Sequence, residues 1–247
     1  TGGFKPSKGE DTIPDTFPRH LLVPNFQKII DDFKPDLIAI TAMTNDYQYL
    51  MEYFPSLKIP KGTSVVIGGT HSLHNSKDIL NTDLFDISCF GQGEQIFPEI
   101  LSRVEQNSDL KEIPGTSLKD KSTGEIVKNP VTGALHEEQL WAVDPDYSAY
   151  DRRYFTYPFD GETVNMFWLE VGRGCPYGCT YCEAPQLRGL YKGTGKYVLS
   201  RPMDDIFSTI HQLQKNYPID VFNITHECFL SQRKEWIAEF CDRWAKE

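Results

Sequence analysis

Residues 172–182 read Gly-Arg-Gly-Cys-Pro-Tyr-Gly-Cys-Thr-Tyr-Cys, which places Cys175, Cys179 and Cys182 within eight residues of one another. Spacings of three and two intervening residues suit a loop that gathers thiolates around one compact metal centre, because glycine and proline supply the tight turns. Thiolate is the soft ligand that iron–sulfur clusters require. Three thiolates, rather than four, would leave one iron of a cubic four-iron cluster open to a small-molecule ligand.

A structural zinc site is the alternative for this loop. Zinc sites normally pair a CxxC with a second pair of ligands further along the chain, and His226 or Cys228 could complete one. The other cysteines, Cys89 and Cys241, stand alone, whereas a secreted disulfide scaffold spreads its cysteines more evenly. A non-catalytic zinc-binding module is therefore the second class of function.

Strands and helices are predicted to alternate on both sides of the cysteine loop. Short unbroken apolar runs indicate buried parallel strands, and amphipathic segments between chain-breaking residues indicate helices. The predicted elements are helix Asn25–Asp32, strand Leu37–Ile40, helix Asp46–Phe54, strand Val65–Ile67, helix Ser76–Leu80, strand Phe85–Phe90, helix Glu94–Glu105, a hairpin of Thr116–Leu118 and Ile126–Val127, strand Thr163–Val171, helix Met203–Lys215, strand Val221–Thr225 and helix Glu235–Ala245. This alternation predicts an α/β fold with a right-handed, doubly wound sheet.

The CxxxCxxC loop, with the aromatic Tyr181 before its last cysteine and a predicted strand before it, resembles the signature of radical S-adenosylmethionine (SAM) enzymes. The resemblance implies a [4Fe–4S] cluster on Cys175, Cys179 and Cys182 that binds the amino and carboxylate groups of SAM, with Tyr181 beside the adenine. It also implies that the loop follows the first strand of a partial β/α barrel. The reduced cluster would cleave SAM to a 5′-deoxyadenosyl radical, which abstracts hydrogen from a substrate.

The end of the second predicted barrel strand reads Thr225-His226-Glu227-Cys228. Many relatives carry a GGE-like segment there that holds the SAM amino group. By that resemblance His226 and Glu227 are expected to contact SAM, and the alternative is an ordinary polar strand end.

Three upstream strand ends carry small and polar residues: Thr41-Ala42-Met43-Thr44, Gly68-Gly69-Thr70-His71 and Gly91-Gln92-Gly93-Glu94. Doubly wound sheets bind ligands at the carboxyl ends of their strands. Followed by the cysteine loop, these strand ends resemble the cobalamin-binding domain that precedes the barrel in one large subgroup of radical SAM enzymes. The resemblance runs from about Asp36 to Cys182.

The cobalamin resemblance implies a role for each strand end. Thr41, Ala42 and Met43 would line the nucleotide loop of cobalamin. The second strand end, Gly68, Gly69 and Thr70, would let its tail pass, and the third, Gly91, Gln92, Gly93 and Glu94, would close over it. None of the six histidines lies in a DxHxxG motif, so His71 is expected to support the site or lie on the surface and not to ligate cobalt.

The predicted organisation has four parts. Residues 1–20 form an N-terminal loop, and 21–130 form a Rossmann-like domain of the cobalamin-binding type, incomplete at its start. Residues 131–160 form an aromatic linker, and 161–247 form the first part of a radical SAM barrel. Because only two βα units follow the linker, the chain is expected to be an internal piece of a longer protein. Isolated, that piece is expected to bind cofactors poorly and to be inactive.

Charge and hydropathy narrow the possible partners. The chain carries 25 Lys and Arg against 35 Asp and Glu, a net charge of −10, which argues against a broad nucleic-acid surface. No run approaches the ~20 apolar residues of a membrane span, and no signal peptide is visible. We expect a cytoplasmic protein that neither binds nucleic acid nor enters a membrane. Its expected partners are a small-molecule or peptide substrate and an electron donor such as flavodoxin or ferredoxin.

The first hypothesis for function is a cobalamin-dependent radical SAM enzyme, a class B methyltransferase acting on an unactivated carbon. The first alternative is a radical SAM cyclase or rearrangement enzyme, with or without bound cobalamin. The zinc-binding module is the other alternative. The sequence identifies no catalytic side chain beyond the cofactor contacts.

Overall fold

The computed structural model describes residues 22–120, 122–133, 141 and 146–247. These residues divide into two compact units. The first is described from residue 22 to 133, and the second comprises residue 141 and residues 146–247. The predicted N-terminal loop, 1–20, lies outside the described residues.

The first unit contains a five-stranded sheet with helices on both faces. Its elements in chain order are α1 (Leu22–Phe33), β1 (Leu37–Thr41), α2 (Thr44–Tyr53), β2 (Ser64–Gly68), α3 (Thr70–Asn81), β3 (Ile87–Cys89), α4 (Gly93–Glu105), β4 (Thr116–Lys119) and β5 (Ile126–Lys128).

The strand order is β1-β2-β3-β4-β5, in which the first three strands are parallel and the last two are antiparallel. Side chains of β2 alternate between the two faces of the sheet. Val65 and Ile67 pack under α2 and α3, whereas Val66 packs with Ile96 and Ile100 of α4. Helices on both faces agree with the prediction, and the sheet is mixed.

One prediction for the first unit needs correction, the extent of α3. The predicted hairpin is formed, and it extends the sheet because Cys89 of β3 pairs with Thr116 of β4. Helix α3 spans Thr70–Asn81, far longer than the predicted Ser76–Leu80. Its first half, rich in His, Ser and Asn, has weak helix propensity, and its dihedral angles are interrupted at Asn75 (φ −123°, ψ 22°). Tertiary contacts hold that half: the His71 amide donates to the Ala42 carbonyl (3.2 Å).

The second unit contains a three-stranded sheet and a small two-stranded one. Its elements are β6 (Thr156–Phe159), β7 (Glu162–Glu170), β8 (Gly172–Arg173), α5 (Ala184–Leu190), β9 (Leu199–Ser200), α6 (Met203–Asn216), β10 (Val221–Thr225) and α7 (Lys234–Trp244). Of these, β6, β8, α5 and β9 were not predicted from the sequence.

Strands β7 and β10 are parallel neighbours, with Thr225 opposite Glu170 at their carboxyl ends. The crossover between them contains α6, and α7 follows β10. These helices cover the sheet through one apolar cluster, whose buried members include Leu169, Ile206 and Phe240. The second unit is therefore a β–α–β–α arrangement, in which consecutive parallel strands end at one edge.

From residue 141 onward, the described residues of the predicted linker are part of the second unit, whereas residues 131–133 belong to the first. Tyr147 and Phe155 pack against Phe167 of β7, with ring centroids 5.5 and 4.4 Å away. Residues 156–159 form β6, antiparallel to β7 at the edge of the sheet. Pro158 lies within β6, and an edge strand tolerates a residue that cannot donate a backbone hydrogen bond. Residues 134–140 and 142–145 of the predicted linker lie outside the described residues.

No helix within the described ranges is long and apolar enough to cross a membrane.

Candidate functional site

The cysteine loop leaves β7 along a path that only glycine permits. A Cβ on Gly172 would lie 2.6 Å from His226 Cδ2 and 2.7 Å from the Leu199 carbonyl oxygen. Gly174 has a φ of +88°, and a Cβ there would lie 2.5 Å from the Tyr197 carbonyl oxygen. The first residues of the loop are therefore wedged between β9 and the end of β10.

The three loop cysteines are free thiols in different surroundings. Cys175 is buried, and Cys179 and Cys182 are exposed. The Cys182 amide donates to the Cys179 carbonyl (3.2 Å), and the Ala184 amide lies 3.5 Å from Cys182 Sγ. Over the described part of the chain, no group of three or more His, Cys, Asp or Glu side chains is gathered closely enough to hold a metal ion.

The donor set nevertheless fits an iron–sulfur cluster in its chemistry. Three thiols that form no disulfide lie on one short glycine-rich loop, and two of them are accessible from solvent. For a cluster to form, Cys179 and Cys182 must close toward Cys175. The assignment of these cysteines as ligands remains a prediction.

Arg188 of α5 binds the first half of the cysteine loop. Its Nη1 donates to the carbonyl oxygens of Cys175 (3.1 Å) and Tyr177 (3.2 Å). A guanidinium is always charged in proteins and donates in a fixed geometry. The backbone on both sides of Pro176 is therefore fixed by a permanent positive charge.

Glu227 reaches the loop from the end of β10. Its Oε2 accepts from the Gly174 amide at 2.9 Å. Strands β7 and β10 thus meet at their carboxyl ends through a side chain and a backbone group 53 residues apart.

His226 is enclosed within the same strand end. Its Nδ1 accepts from the Cys228 amide (2.9 Å), and its Nε2 lies 2.7 Å from Nε2 of the Gln232 carboxamide. That carboxamide also bonds to the Ser200 hydroxyl of β9. Burial lowers the pKa of His226, although the charges of Glu227 and Glu170 oppose the shift. The ring is therefore a neutral, internally bonded group, and its predicted contact with SAM remains untested.

Two arginines and a tryptophan surround the carboxyl end of β7. Arg173 binds the Glu170 carboxylate through two nitrogens, at 2.9 and 3.1 Å. Buried Arg201 donates to Thr209 Oγ1 at 2.7 Å. Both guanidinium groups lie over the Trp141 ring, 5.9 and 5.4 Å from its centroid. This end of the sheet is thus rich in charge-assisted contacts.

Tyr181 projects into solvent, with 92% of its surface exposed. Its pKa is raised. The largest cause is the charge of the nearby Cys179, and the next is a hydrogen bond to the same residue. The side chain is available to stack on a planar ligand.

In the first unit, the first two predicted strand ends are in contact. The Ala42 amide donates to the Gly68 carbonyl at 3.0 Å. Gly69 has a φ of +93°, and a Cβ there would lie 2.6 Å from the Ala42 carbonyl oxygen and 3.0 Å from Thr41 Oγ1. Gly69 therefore allows the backbones of the first two strand ends to approach closely.

His71 packs inside this pair of loops. Its ring stacks on Tyr47 with centroids 4.1 Å apart, and its Nδ1 lies 3.2 Å from Thr44 Oγ1 and 3.3 Å from Asn75 Nδ2. Burial lowers its pKa; Asp78 opposes the shift and His74 reinforces it. His71 is therefore buried and not on the surface, and its support of a cobalamin site remains a prediction. The exposed residues of the two loops include Thr41, Met43 and Gly69.

The third strand end, Gly91–Glu94, lies beside the other two because β3 is the parallel neighbour of β2. The Gly91 amide donates to the Gly115 carbonyl (3.3 Å), and Gly115 itself has a φ of +74°. Gln92 is buried, whereas Gly93 and Glu94 are exposed. All three predicted loops therefore end at one edge of the sheet, and their contact with a cofactor remains a prediction.

Sequence reasoning missed several residues of the second site, among them Arg188, Gln232 and the Glu170–Arg173 pair. Arg188 lies outside the CxxxCxxC pattern, and an arginine in a short polar segment is ordinarily solvated. Gln232 and Ser200 meet across 32 residues. A signal was present only for Glu170, as a charged residue at the carboxyl end of a predicted strand.

A scan against protein-family models gave no match. Several curated relatives match over much of the chain, among them two enzymes. An anaerobic magnesium-protoporphyrin IX monomethyl ester cyclase from Cereibacter sphaeroides is 22% identical over 216 residues, covering 85% of this chain and 33% of that protein. A hopanoid C-3 methylase from Methylococcus capsulatus is 28% identical over 167 residues, covering 65% of this chain and 30% of that protein. The chain thus spans about a third of the length of these relatives.

Among solved structures, the chain is similar to the radical SAM methyltransferase TsrM from Kitasatospora setae, determined with its tryptophan substrate and a SAM analogue. The TM-score is 0.65 at 18% identity, covering 90% of this chain and 44% of that one. The shared feature is the fold, an α/β arrangement of mixed and parallel sheets.

Proposed function

We propose that this chain is part of a cobalamin-dependent radical SAM enzyme, a methyltransferase acting on an unactivated carbon. The similarity of its fold to a radical SAM methyltransferase and its sequence similarity to a methylase support the proposal. The observation that carries the proposal is the position of the cysteine loop. It follows the first strand of a parallel β–α–β unit and lies beside the end of the next strand. That edge is where open α/β sheets bind ligands.

In the second unit, Cys175, Cys179 and Cys182 would hold a [4Fe–4S] cluster, leaving one iron for SAM. Tyr181, exposed beside them, would stack on the adenine. Glu227 keeps one carboxylate oxygen on the Gly174 amide, and the other would accept from the SAM ammonium group. His226 would act indirectly, by fixing the strand end through Gln232.

In the first unit, the three adjacent strand ends would bind cobalamin. Thr41, Ala42 and Met43 would lie along the nucleotide loop, and Gly68, Gly69 and Thr70 along the tail. The third strand end, Gly91, Gln92, Gly93 and Glu94, would cover the cofactor. Gly69 supports this assignment because a side chain there would separate the first two loops.

When bound, the three cofactors supply hydrogen abstraction and methyl transfer. The protein's residues position them and exclude water. A small-molecule or peptide substrate and a flavodoxin- or ferredoxin-type electron donor belong to this proposal.

A cyclase or rearrangement enzyme is the second candidate, and the cyclase relative that covers 85% of the chain favours it. The two candidates differ in the fate of the SAM methyl group. Transfer of deuterium from methyl-labelled SAM to the product supports methyl transfer. An unlabelled product supports cyclisation or rearrangement.

The test of the proposal is metal analysis of the full-length parent protein, prepared without oxygen, beside its Cys175→Ala, Cys179→Ala, Cys182→Ala triple variant. We expect about four irons per chain, a broad absorption band near ~400 nm and loss of both in the variant. Cobalt near one per chain should persist in the variant. Zinc in place of iron, without colour, would favour the zinc-binding module and contradict the radical mechanism.

A further inference from the structure

We propose that Arg188 is a positioning residue that preorganises the cysteine loop and tunes the reduction potential of the cluster. The inference rests on the proposed function for the cluster itself, but the contacts that carry it belong to the protein alone. Arg188 lies outside the cysteine motif, and it is neither a proposed cluster ligand nor a proposed contact of SAM.

Arg188 acts on the backbone, through two carbonyl groups of one turn. Its Nη1 donates to Cys175 O at 3.1 Å and to Tyr177 O at 3.2 Å. Those carbonyls flank Pro176, which cannot donate a backbone hydrogen bond. The arginine thereby satisfies acceptors within the turn and holds Cys175 in its buried position.

The remainder of the loop is held differently. Cys179 and Cys182 are exposed, and their contacts are local: one backbone bond between them, the Ala184 amide on Cys182 Sγ and the Tyr181 side chain on Cys179. Cys175, anchored by Arg188 on one side and by the Gly174–Glu227 bond on the other, is thus the fixed ligand. The two exposed cysteines would close on it.

The charge of Arg188 has a second consequence. Reduction adds one negative charge to a cluster, and a cation nearby stabilises the reduced form. A cluster ligated by Cys175 would lie close to the guanidinium that binds the carbonyl of that residue. Removing the charge should therefore make the cluster harder to reduce.

The first measurement needs no cluster. In the iron-free full-length protein, hydrogen–deuterium exchange of peptides covering 174–183 should be several-fold faster in Arg188→Gln than in the wild type. Arg188→Lys keeps the charge but loses the planar fork, so its exchange should be intermediate. Arg152→Gln is the matched control, because it removes an exposed arginine of the same unit that makes none of the contacts to the loop.

The second measurement uses the reconstituted protein. An EPR-monitored redox titration should give a more negative midpoint potential for Arg188→Gln and a value closer to wild type for Arg188→Lys and Arg152→Gln. If Arg188→Gln has the same hydrogen–deuterium exchange in the loop and the same midpoint potential as the wild type, the inference is wrong. If Arg188→Gln does not fold, the same comparison of Arg188→Lys with wild type decides it, by exchange in the loop.

The two proposals fail in different ways. If the wild-type protein contains no iron, the proposed function is contradicted, but the exchange experiment still tests whether Arg188 orders the loop. If iron content is normal and neither the midpoint potential nor the exchange depends on Arg188, only the role of Arg188 is contradicted.

Discussion

The two sheet edges that carry the candidate sites are built differently. In the first unit, backbone groups of neighbouring loops bind one another: Ala42 with Gly68, and His71 with Ala42. In the second unit, side chains from distant segments, Arg188 and Glu227, bind the backbone of one loop. The first edge is a preformed surface. The second is fixed at its beginning and open at Cys179 and Cys182.

The difference has an energetic meaning. A preformed edge loses little conformational freedom when a ligand binds, so contact energy appears directly as affinity. A loop that must close spends part of its metal-binding free energy on its own ordering. We expect cobalamin binding to depend on packing in the first unit, and cluster assembly to depend on the residues that hold the cysteine loop.

The largest expected effect is that of Gly69→Ala. Its positive φ with extended ψ is essentially a glycine conformation, and the new Cβ would meet the Ala42 backbone. We expect a loss of about 4 kcal/mol, from roughly 1–3 for strain and roughly 1–3 for overpacking. Urea unfolding followed by far-UV circular dichroism measures it.

Tryptophan fluorescence provides the contrast, because all four tryptophans, Trp141, Trp168, Trp236 and Trp244, lie in the second unit. The unfolding transition of the second unit, followed by this fluorescence, should change little in Gly69→Ala. Gly93→Ala is the control, since nothing lies within 4 Å of its Cβ position. If the transition of Gly69→Ala followed by circular dichroism is the same as that of the wild type, the sheet edge of the first unit is not closely packed at Gly69.

Gly172→Ala should have the next largest effect, this time in the second unit. Its Cβ would press on the Leu199 carbonyl and on the His226 and Gln232 side chains, all at 2.6–2.8 Å. Overpacking of this kind costs about 1–3 kcal/mol. Tryptophan fluorescence should report the loss, and iron content should fall while cobalt is retained. Gly178→Ala, in open space on the same loop, should leave both unchanged.

Acid should weaken both units, through buried His71 in the first and half-buried His226 in the second. Burial lowers the pKa of His71 and of His226, so the unfolded chain binds protons more readily than the folded one. No stability is lost above the unfolded pKa of about 6.5. Stability falls as the pH drops below that value, until the folded pKa is passed.

Paired variants separate the two units in this acid response. Between pH 7 and pH 5, His226→Gln should reduce the loss of stability of the second unit, measured by tryptophan fluorescence. His71→Gln should reduce the loss of stability of the first unit, measured by circular dichroism. His211→Gln, at an exposed position, is the control. Equal slopes in all variants would assign the acid response to other groups.

The smallest effect on stability is expected for Tyr181→Ala. A side chain that is 92% exposed makes little packing contribution, so the change should stay within about 0.5 kcal/mol. SAM binding to the reconstituted parent protein should nevertheless weaken, because the stacking surface is lost. Unchanged SAM affinity would remove Tyr181 from the proposed site.

The sequence by itself determined most of the strands and helices and the position of the cysteine loop. Buried strands such as Val65–Ile67 and amphipathic helices such as Met203–Asn216 are local patterns, set by which faces of a segment meet the core. A resemblance to radical SAM enzymes was likewise predicted from the CxxxCxxC spacing and the glycine-rich strand ends, and the fold of the chain is similar to that of a radical SAM methyltransferase.

Only the tertiary structure decided how the sites are assembled. Strand β6 forms despite Pro158 because it lies at an edge, and the first half of α3 is helical because the Ala42 carbonyl receives the His71 amide. Arg188, Glu227 and Gln232 reach their partners across 11 to 53 residues of sequence. Such pairings leave no periodic signal, since they depend on where whole elements pack and not on the order of residues within one element.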